Sequence, residues 1–392
     1  MRVVMVAHSF PRSDGDIAGV WIGRLAEALA ARGHAVTAIA PADRGERGAP
    51  TLGRVAVRRV RYAAPARETL AYQGTMHRLA AANPLAAVTF VGLVRALAAA
   101  VGEECRGAPV DIVHAHWWVP GGVAAALAQR RGRPFIVTLH GTDVALSRRF
   151  PAGRWLMGAV LRRAAAVTAV SAALAETAAH TLGRSASEIP RTPMPLAPVQ
   201  APAAPQGERR GAIFVGRLTR QKHVGDLLEA LALLARRGQR LELTVVGDGS
   251  ERAALERRAA ESDLAGTVTF VGAVPPDAVA RHLALKRLFV LPSVDEGLGL
   301  VVAEALVAGV PVVATRSGGI PDLMTDREAG ELVPPGDPAA LADAMSRVAG
   351  DGRYLAGASR AGRALLERLS PDAVAGQFEA IYGSVLSRRS RA

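Results

Sequence analysis

The stretch PSVDEGLGLVVAEAL, residues 292–306, joins a strand to a helix through a polar, glycine-containing turn. The apolar run Leu288–Leu291 predicts the strand, and the apolar residues from Leu298 onward predict the helix. Backbone N–H groups at a helix start are unpaired and lie at the positive end of the helix dipole, so an anion is favoured there. Glu296 and Glu304 flank this turn. The stretch therefore predicts an anion cradle between two acceptors for hydroxyl groups, as a nucleotide sugar requires.

Strand–helix alternation extends from this stretch in both directions and predicts two parallel α/β domains. The run Val3–Ala7 is typical of a strand that is buried on both faces, and Val55–Tyr62 alternates Val with Arg as an edge or half-exposed strand would. Prolines crowd residues 189–205, which therefore predict a connection between domains. The predicted division is an N-terminal domain over residues 1–190, a linker over 191–206, a C-terminal domain over 207–370 and a final helix over 371–392.

The composition limits the classes of function. The chain has 392 residues, enough for two cores, and a net charge of +13 that indicates either a solvated basic surface or an anionic partner. Aromatic residues make up 4%, without basic–aromatic interleaving, which argues against nucleic acid. The single Cys105 excludes internal disulfides and indicates a reducing compartment. The most apolar run, Leu85–Val101, carries Arg95 and predicts a buried helix.

Lysine is rare in this chain, and one of its two lysines lies in a glycine-bearing loop. Lys222 and Lys286 are the only lysines, whereas all other basic residues are Arg. Lys222 ends the loop GRLTRQK, in which Gly216 allows close backbone approach and Arg217 offers a bidentate phosphate contact. Further glycine-rich loops follow at residues 247–249 and 317–322. Because all these loops follow parallel strands, they predict one binding face at a single sheet edge.

Three histidines follow predicted strands in the N-terminal domain. We expect His114 and His116 to be packed, hydrogen-bonded core residues, because their spacing does not favour a metal site. His140 lies in a loop with a glycine and Asp143 and is the stronger functional candidate. The loop that holds Gly15 and Gly19 follows the first strand and predicts either a ligand loop or a simple turn.

Residues 148–163 mix arginines with Phe, Trp, Leu and Met. Such a segment could lie on an anionic membrane surface. An ordinary helix that packs on the sheet with its arginines in water is the favoured interpretation.

With these motifs in hand, the chain resembles the retaining, GT-B-type glycosyltransferases of family 4 over nearly its whole length. The most specific motifs are the Glu296/Glu304 pair, the loop from Gly216 to Lys222, and GVPVVAT at 309–315 leading to a Gly-Gly pair. DIVHAH at 111–116 and GHAVT at 33–37 are similar to the family's N-terminal signatures. Three departures are the segment PMPL at 193–196, the separated glycines of the N-terminal loop, and Asp322 where Glu is commoner.

The resemblance implies an α/β GT-B fold, with two Rossmann-like parallel-sheet domains facing across a cleft and a last helix that returns to the N-terminal domain. A nucleoside-diphosphate sugar would bind mainly to the C-terminal domain and the acceptor to the N-terminal one. No bound metal or cofactor is expected, because the cations and the helix start would stabilise the leaving diphosphate. Together with the loop positions above, it implies catalytic roles for His140, Arg217, Lys222 and Glu296, donor binding by Gly15, Gly19, Gly216, Gly247, Gly297, Leu298, Gly299, Leu300 and Glu304, and acceptor binding by Asp143.

The predicted function is sugar transfer from a nucleoside-diphosphate sugar to a sugar, lipid-linked or small-molecule acceptor. The alternatives are a GT-B sugar-nucleotide epimerase, a phosphorylase, and a non-catalytic protein that binds anionic surfaces. The chain lacks the pyridoxal-lysine pattern, which argues against a glycogen-type phosphorylase. The expected location is cytoplasmic, with the inner face of the membrane as a possible peripheral site.

Overall fold

Two compact units make up the chain. The computed structural model describes residues 1–72, 76, 84–129, 133–149, 151–197 and 209–390. Unit 1 comprises Met1–Ala197 and Pro371–Ala392, and unit 2 comprises Pro198–Ser370. Within the predicted linker, Thr192 donates a backbone hydrogen bond to Ala169 of unit 1, whereas positions 198–206 lie outside the described residues.

Unit 1 is built on a seven-stranded sheet in the order β3-β4-β2-β1-β5-β6-β7. Only the β3–β4 pair is antiparallel; the other pairs are parallel. The central β1 is buried on both faces, as its continuous apolar sequence predicts. The strands are β1 Arg2–Val6, β2 Ala35–Pro41, β3 Thr51–Leu52, β4 Val55–Val60, β5 Ile112–His116, β6 Phe135–Leu139 and β7 Ala166–Ala169.

Helices follow most strands of unit 1, as parallel connections require. The segment Trp117–Gly122, whose Val119 has an extended backbone, precedes the short helix Val123–Ala128. The helices are Val20–Ala31, Pro84–Gly107, Val123–Ala128, Thr142–Arg149, Pro151–Arg163, Ala172–Leu182 and Pro371–Ser390, with 3-10 turns at Pro65–Arg67 and Ala186–Glu188.

The last helix, Pro371–Ser390, packs in unit 1. Phe378 and Tyr382 are fully buried. At the surface, Arg32 forms ion pairs with Asp372 and Glu379 at 2.7 Å each. Aromatic burial and a charged rim therefore hold this helix against the N-terminal part of the chain.

One prediction for unit 1 is confirmed and one needs correction. The strand predicted to be an edge or half-exposed strand is β4, which is half-exposed: Ala56 is exposed and Arg58 is partly exposed, while β2 and the two-residue β3 pair with it on either side. The helix Pro84–Gly107 packs on the sheet but is not buried all round: Val88 is 67% exposed and Val91 55%. Its apolar residues surround the helix, and only one face can contact the sheet. By length and composition alone this helix could also cross a membrane, and a third of its most apolar window is buried.

The basic segment at residues 148–163 is divided between two helices, Thr142–Arg149 and Pro151–Arg163. The second helix buries Met157 and Leu161. Trp155 is 68% exposed beside the exposed Arg154. The predicted packing helix is therefore present, but it also places an aromatic ring in solvent.

Unit 2 contains a six-stranded parallel sheet in the order β10-β9-β8-β11-β12-β13. The strands are β8 Ala212–Val215, β9 Leu243–Val246, β10 Val268–Gly272, β11 Leu288–Leu291, β12 Val312–Thr315 and β13 Gly330–Val333. The helices are Val224–Arg236, Arg252–Ala259, Pro276–Ala284, Leu300–Val307, Ile320–Leu323, Pro338–Gly350 and Arg353–Arg368, with 3-10 turns at Arg220–Lys222 and Arg327–Ala329. The two parallel α/β units confirm the predicted fold class.

Candidate functional site

Four loops interlock at the carboxyl edge of the unit 2 sheet, after β8, β9, β11 and β12. The Leu218 N–H donates to the Asp248 carbonyl at 2.9 Å, which joins the first loop to the second. The Val294 N–H donates to the Gln221 carbonyl at 2.9 Å, which joins the third loop to the first. The Gly319 N–H donates to the Glu296 carbonyl at 3.0 Å and adds the fourth. The loops predicted to share one binding face therefore form one hydrogen-bonded surface.

Glycine is required where these loops touch. A Cβ atom on Gly247 (φ 135°) would lie 1.9 Å from the Gly216 carbonyl oxygen. A Cβ atom on Gly318 (φ 54°) would lie 1.7 Å from the Glu296 carbonyl oxygen. Both distances are far below van der Waals contact, so any side chain would separate the loops. Gly247 thus has a packing role, and its predicted donor contact stays a prediction.

Lys222 and Glu296 meet on this surface. The Lys222 Nζ lies 2.5 Å from the Glu296 Oε2, and the two side chains are 13% and 14% exposed. The 3-10 turn Arg220–Lys222 presents the ammonium group, and the turn before the helix Leu300–Val307 presents the carboxylate. Two residues separated by 74 positions in the chain therefore form one compact, mostly buried ion pair.

The helix Leu300–Val307 begins as the sequence stretch 292–306 predicts. Its N-cap, Gly299, has φ 82°, a left-handed conformation that glycine adopts without steric cost. Leu298 is buried before it, Gly297 is half-buried, and Glu304 lies within the helix. The N–H groups of this first turn closely follow Glu296 in the chain, and Glu296 pairs with Lys222, so a cation and the positive end of a helix dipole share one loop surface.

Arg217 follows Gly216 directly after β8, and its side chain is exposed. An exposed guanidinium keeps its donors available to an anion in solution. The structure thus brings Arg217, Lys222 and Glu296 to one sheet edge, as predicted.

The corresponding edge of unit 1 has a loop over residues 8–19 that follows β1. Arg12 holds this loop through Asp16 at 2.6 Å and Asp43 at 2.5 Å. The buried Arg59 donates to the carbonyls of Phe10, at 3.0 Å, and of Pro11. Two arginines, Arg12 and Arg59, therefore hold the loop in place.

The two glycines of this loop differ in what they require. Gly19 has φ 66°, and a Cβ atom on it would lie 2.3 Å from the Ser9 carbonyl oxygen. Gly15 has φ 83°, but no atom lies within 4 Å of its Cβ position. Close packing explains Gly19, and a tight turn explains Gly15, so their donor-binding roles stay predictions.

A stack of rings occupies the same edge of unit 1. The Trp117 ring, whose residue has φ 64°, lies 4.1 Å from the His8 ring and 4.5 Å from the His140 ring, measured between centroids. His116 Nδ1 lies 3.1 Å from His140 Nε2, and the His116 ring stacks on His114 at 4.2 Å. The stack therefore runs from the β1 end across β5 to the β6 end.

Buried hydrogen bonds anchor the inner end of the stack. His114 Nδ1 lies 2.8 Å from the Tyr382 hydroxyl, and its Nε2 lies 2.7 Å from Thr138 Oγ1. Thr138 in turn bonds Thr168 at 2.7 Å. The predicted packed, hydrogen-bonded role of His114 is confirmed, and the final helix contributes to it through Tyr382.

Burial keeps these imidazoles uncharged. It lowers the pKa of His8 to about 4 and that of His114 to about 3, since a charged ring would lose its hydration. The pKa values of His116 and His140 also lie well below the ordinary value, first through burial and then through neighbouring histidines. The unit 1 edge therefore presents neutral rings at pH 7.

Asp143 is used inside its own loop. Its Oδ1 accepts from the N–H groups of His140 at 3.2 Å and Gly141 at 3.0 Å, and its Oδ2 accepts from that of Trp118 at 3.0 Å. The residue is 3% exposed. Asp143 therefore positions the loop around His140 through these hydrogen bonds. Its role in acceptor binding stays a prediction.

Sequence reasoning missed His8, Trp117 and the pairing of His116 with His140. His8 lies two residues after the first buried strand, which is a signal that could have been used. The position of Trp117 in the stack depends on its left-handed backbone, which no residue-type preference indicates for tryptophan.

Two family models together match almost the whole chain. The model described as "Glycosyl transferase 4-like domain" matches residues 18–195. The model described as "Glycosyl transferases group 1" matches residues 200–364. The four loops of unit 2 and the residues His116, Trp117 and His140 of unit 1 fall within these matches, whereas His8 and most of the loop over residues 8–19 precede them.

Curated relatives and solved structures agree with the models. A 2-deoxystreptamine glucosyltransferase from Streptomyces kanamyceticus is 32% identical over 76% of this chain and 84% of its own length. A glycogen synthase from Mycobacterium tuberculosis is 29% identical over 95% and 91%. Sucrose-phosphate synthase from Thermosynechococcus elongatus superposes with a TM-score of 0.77 at 23% identity, over 99% and 100% of the two chains. Anabaena HepE in complex with UDP-glucose superposes with a TM-score of 0.71 at 19% identity, over 98% and 100%.

Proposed function

The chain belongs to the family 4 glycosyltransferases of the GT-B fold, and from that premise we propose that it uses a nucleoside-diphosphate sugar as donor and retains the anomeric configuration. Membership in this sugar-transferring family does not favour the epimerase and phosphorylase alternatives. The proposal concerns the donor, the stereochemical course and the division of labour between the units.

The observation that carries the proposal is the Lys222–Glu296 pair at the start of the helix Leu300–Val307. A diphosphate needs cations and N–H donors, and a sugar needs acceptors for its hydroxyls. Lys222 offers the charge and Glu296 the acceptor, while Arg217 adds a second cation on the same edge. Lys222 and Glu296 neutralise each other in the pair, and a bound donor would offer a phosphate to the ammonium group and hydroxyls to the carboxylate.

We place the leaving-group charge on Arg217, Lys222 and the helix start, without a metal ion. Fixed positive groups that are aimed at developing charge stabilise a transition state as a metal would. Glu296 then orients donor hydroxyls, and Glu304 the ribose. This assignment requires no proton transfer by either glutamate.

The acceptor is assigned to unit 1. Its edge of neutral imidazoles around Trp117 suits an uncharged, hydroxyl-bearing group more than an anion. Relatives carry both small-molecule and lipid names, such as the 2-deoxystreptamine enzyme and a GDP-mannose-dependent phosphatidylinositol monomannoside mannosyltransferase from Mycolicibacterium smegmatis. A sugar, lipid-linked or small-molecule acceptor fits this range.

The test is donor-dependent release of a nucleoside diphosphate, after thermal-shift screening of UDP, GDP and ADP and their sugars. We expect Lys222→Ala to lower kcat/KM by about 100-fold to 1000-fold, the usual cost of removing one stabilising group for developing charge. Glu296→Gln keeps the side-chain shape and should raise KM for the sugar nucleotide more than KD for the free diphosphate.

Lys286→Ala is the matched control, because Lys286 is the only other lysine and donates to Thr244 Oγ1 at 2.7 Å on β9. It should leave the kinetics close to those of the unaltered enzyme. Wild-type turnover in Lys222→Ala, or equal losses in Lys222→Ala and Lys286→Ala, would contradict the site.

A peripheral membrane contact is a second, separable proposal. On the helix Pro151–Arg163, the exposed Trp155 and Leu156 lie about two turns from the exposed Arg162 and Arg163. An aromatic and aliphatic pair flanked by arginines is typical of a helix face that rests on anionic lipid. Such a contact would bring the enzyme to a lipid-linked acceptor.

A further inference from the structure

His116 and His140 lie within hydrogen-bond distance of each other at the ends of neighbouring strands. His116 is the last residue of β5, and His140 follows β6, to which β5 pairs in parallel register. The 3.1 Å separation of His116 Nδ1 and His140 Nε2 fits one N–H···N hydrogen bond. Because both rings are neutral at pH 7, one nitrogen of this pair must donate and the other must accept.

The second nitrogen of His116 decides the direction of this bond. His116 is completely buried, and its Nε2 has no hydrogen-bond partner among the described residues. If His140 donated, His116 would carry its proton on this Nε2 and bury an unsatisfied N–H group. If His116 Nδ1 donates, its Nε2 keeps only a lone pair. Orphaned buried donors are rarer than orphaned acceptors, so donation by His116 is favoured.

Neighbouring rings keep the pair from rearranging. The His116 ring is stacked on His114, which Tyr382 and Thr138 hold by hydrogen bonds at both nitrogens. The His140 ring lies against Trp117 at 4.5 Å. Neither imidazole can flip without breaking this packing, so the tautomer of the pair is fixed by the fold.

We infer that His116 is a positioning residue that holds His140 in the Nδ1–H tautomer, so that His140 donates a hydrogen bond to a ligand oxygen instead of accepting a proton. The inference rests on the proposed function only for the nature of that ligand, a sugar or acceptor hydroxyl group. With its Nε2 lone pair occupied by His116, His140 cannot be the base that deprotonates an acceptor. It acts as a neutral donor of fixed direction.

Two substitutions at one position separate this role from simple packing. In His116→Asn, the side-chain amide nitrogen stands where Nδ1 stands, so a donor to His140 remains. In His116→Phe, ring volume and stacking remain but the donor is lost. We expect His116→Asn to stay within about fivefold of the unaltered kcat and His116→Phe to lose about 10-fold to 100-fold, as for other residues that orient a functional histidine.

The deciding measurement is the ¹⁵N NMR spectrum of the histidine side chains in the full-length enzyme, with His140→Gln used to assign the His140 signals. The expected result is an Nδ1–H tautomer of His140 in the unaltered enzyme and in His116→Asn, and a mixed population in His116→Phe. An Nε2–H tautomer in the unaltered enzyme would overturn the inference even if His116→Phe does not fold. An unchanged tautomer and rate in His116→Phe would overturn it as well.

This readout needs no substrate. If no sugar nucleotide is turned over, the proposed function fails while the tautomer is still measured. If transfer occurs with His140 in the Nε2–H form, only the present inference fails.

Discussion

The carboxyl edges of the two sheets use opposite chemistry on the same type of fold. In unit 2 the edge carries charge: Lys222 and Glu296 form an ion pair, and Arg217 is exposed beside them. In unit 1 the edge carries stacked neutral rings, and Arg12 and Arg59 form their hydrogen bonds and ion pairs with the loop over residues 8–19 and the chain beside it. A charged edge suits a diphosphate, and a neutral edge suits a hydroxyl group. The difference supports the proposed binding of the donor by unit 2 and of the acceptor by unit 1.

The largest expected effect tests whether the unit 1 edge is neutral. His114 and His116 are fully buried, with the pKa of His114 lowered to about 3. Since their native pKa values lie below those of the unfolded chain, their stabilisation is complete above about pH 6.5 and is lost as the pH falls toward the native values. His114 contributes a slope approaching about 1.4 kcal/mol per pH unit, or on the order of 2 kcal/mol by pH 5, and His116 adds a loss of stability in the same direction.

Urea unfolding at pH 7.5, 6 and 5 measures this effect, followed by tryptophan fluorescence. All four tryptophans, at positions 21, 117, 118 and 155, belong to unit 1, so the signal reports that unit alone. His116→Asn should reduce the slope by one histidine, whereas His180→Gln, at an exposed position, should leave it unchanged. A stability that is flat from pH 7.5 to 5 would contradict the prediction, because it would mean that the rings bind protons in the native protein as readily as in the unfolded chain.

The next effect tests the glycine contacts on which the charged edge depends. Gly318→Ala places a Cβ atom 1.7 Å from the Glu296 carbonyl oxygen, so the loops must separate. Overpacking together with a left-handed alanine should cost about 3 kcal/mol, a fall in Tm on the order of 10 °C for a unit of this size. The loss should appear in circular dichroism and in diphosphate affinity, because Glu296 moves with the loop.

Gly15→Ala in unit 1 is the matched control, since the same left-handed backbone there meets no atom within 4 Å. It should cost about 1 kcal/mol. Equal losses in the two variants would show that backbone conformation, and not loop contact, is what glycine supplies at Gly318.

The charged edge could be predicted from sequence far better than the neutral one, for a physical reason. Lys222 stood out because the chain uses arginine almost everywhere, and Glu296 because it precedes a helix start; each signal is local. The unit 1 edge depends on pairs such as His116 with His140, which are 24 positions apart and meet only through strand register. Residue type does not encode that register. It also did not indicate that the Asp143 carboxylate would accept its hydrogen bonds from backbone N–H groups of its own unit.

The smallest expected effect tests whether the arginines of the helix Pro151–Arg163 in unit 1 bind an anionic membrane surface. Trp155 should shift its fluorescence to the blue on vesicles containing phosphatidylglycerol at low salt and return at high salt, because exposed charges are screened within about 10 Å at 0.1 M. Arg162→Gln should weaken binding about fivefold, the equivalent of about 1 kcal/mol per basic residue. Trp155→Ser should weaken it further through lost apolar contact. Leu366→Ser, which alters a partly exposed leucine of unit 2, should have no effect. Binding that persists at high salt, or that Leu366→Ser reduces equally, would show that the arginines of this helix are only solvated and do not bind the vesicle. The anion-binding cations of the enzyme would then be those of unit 2.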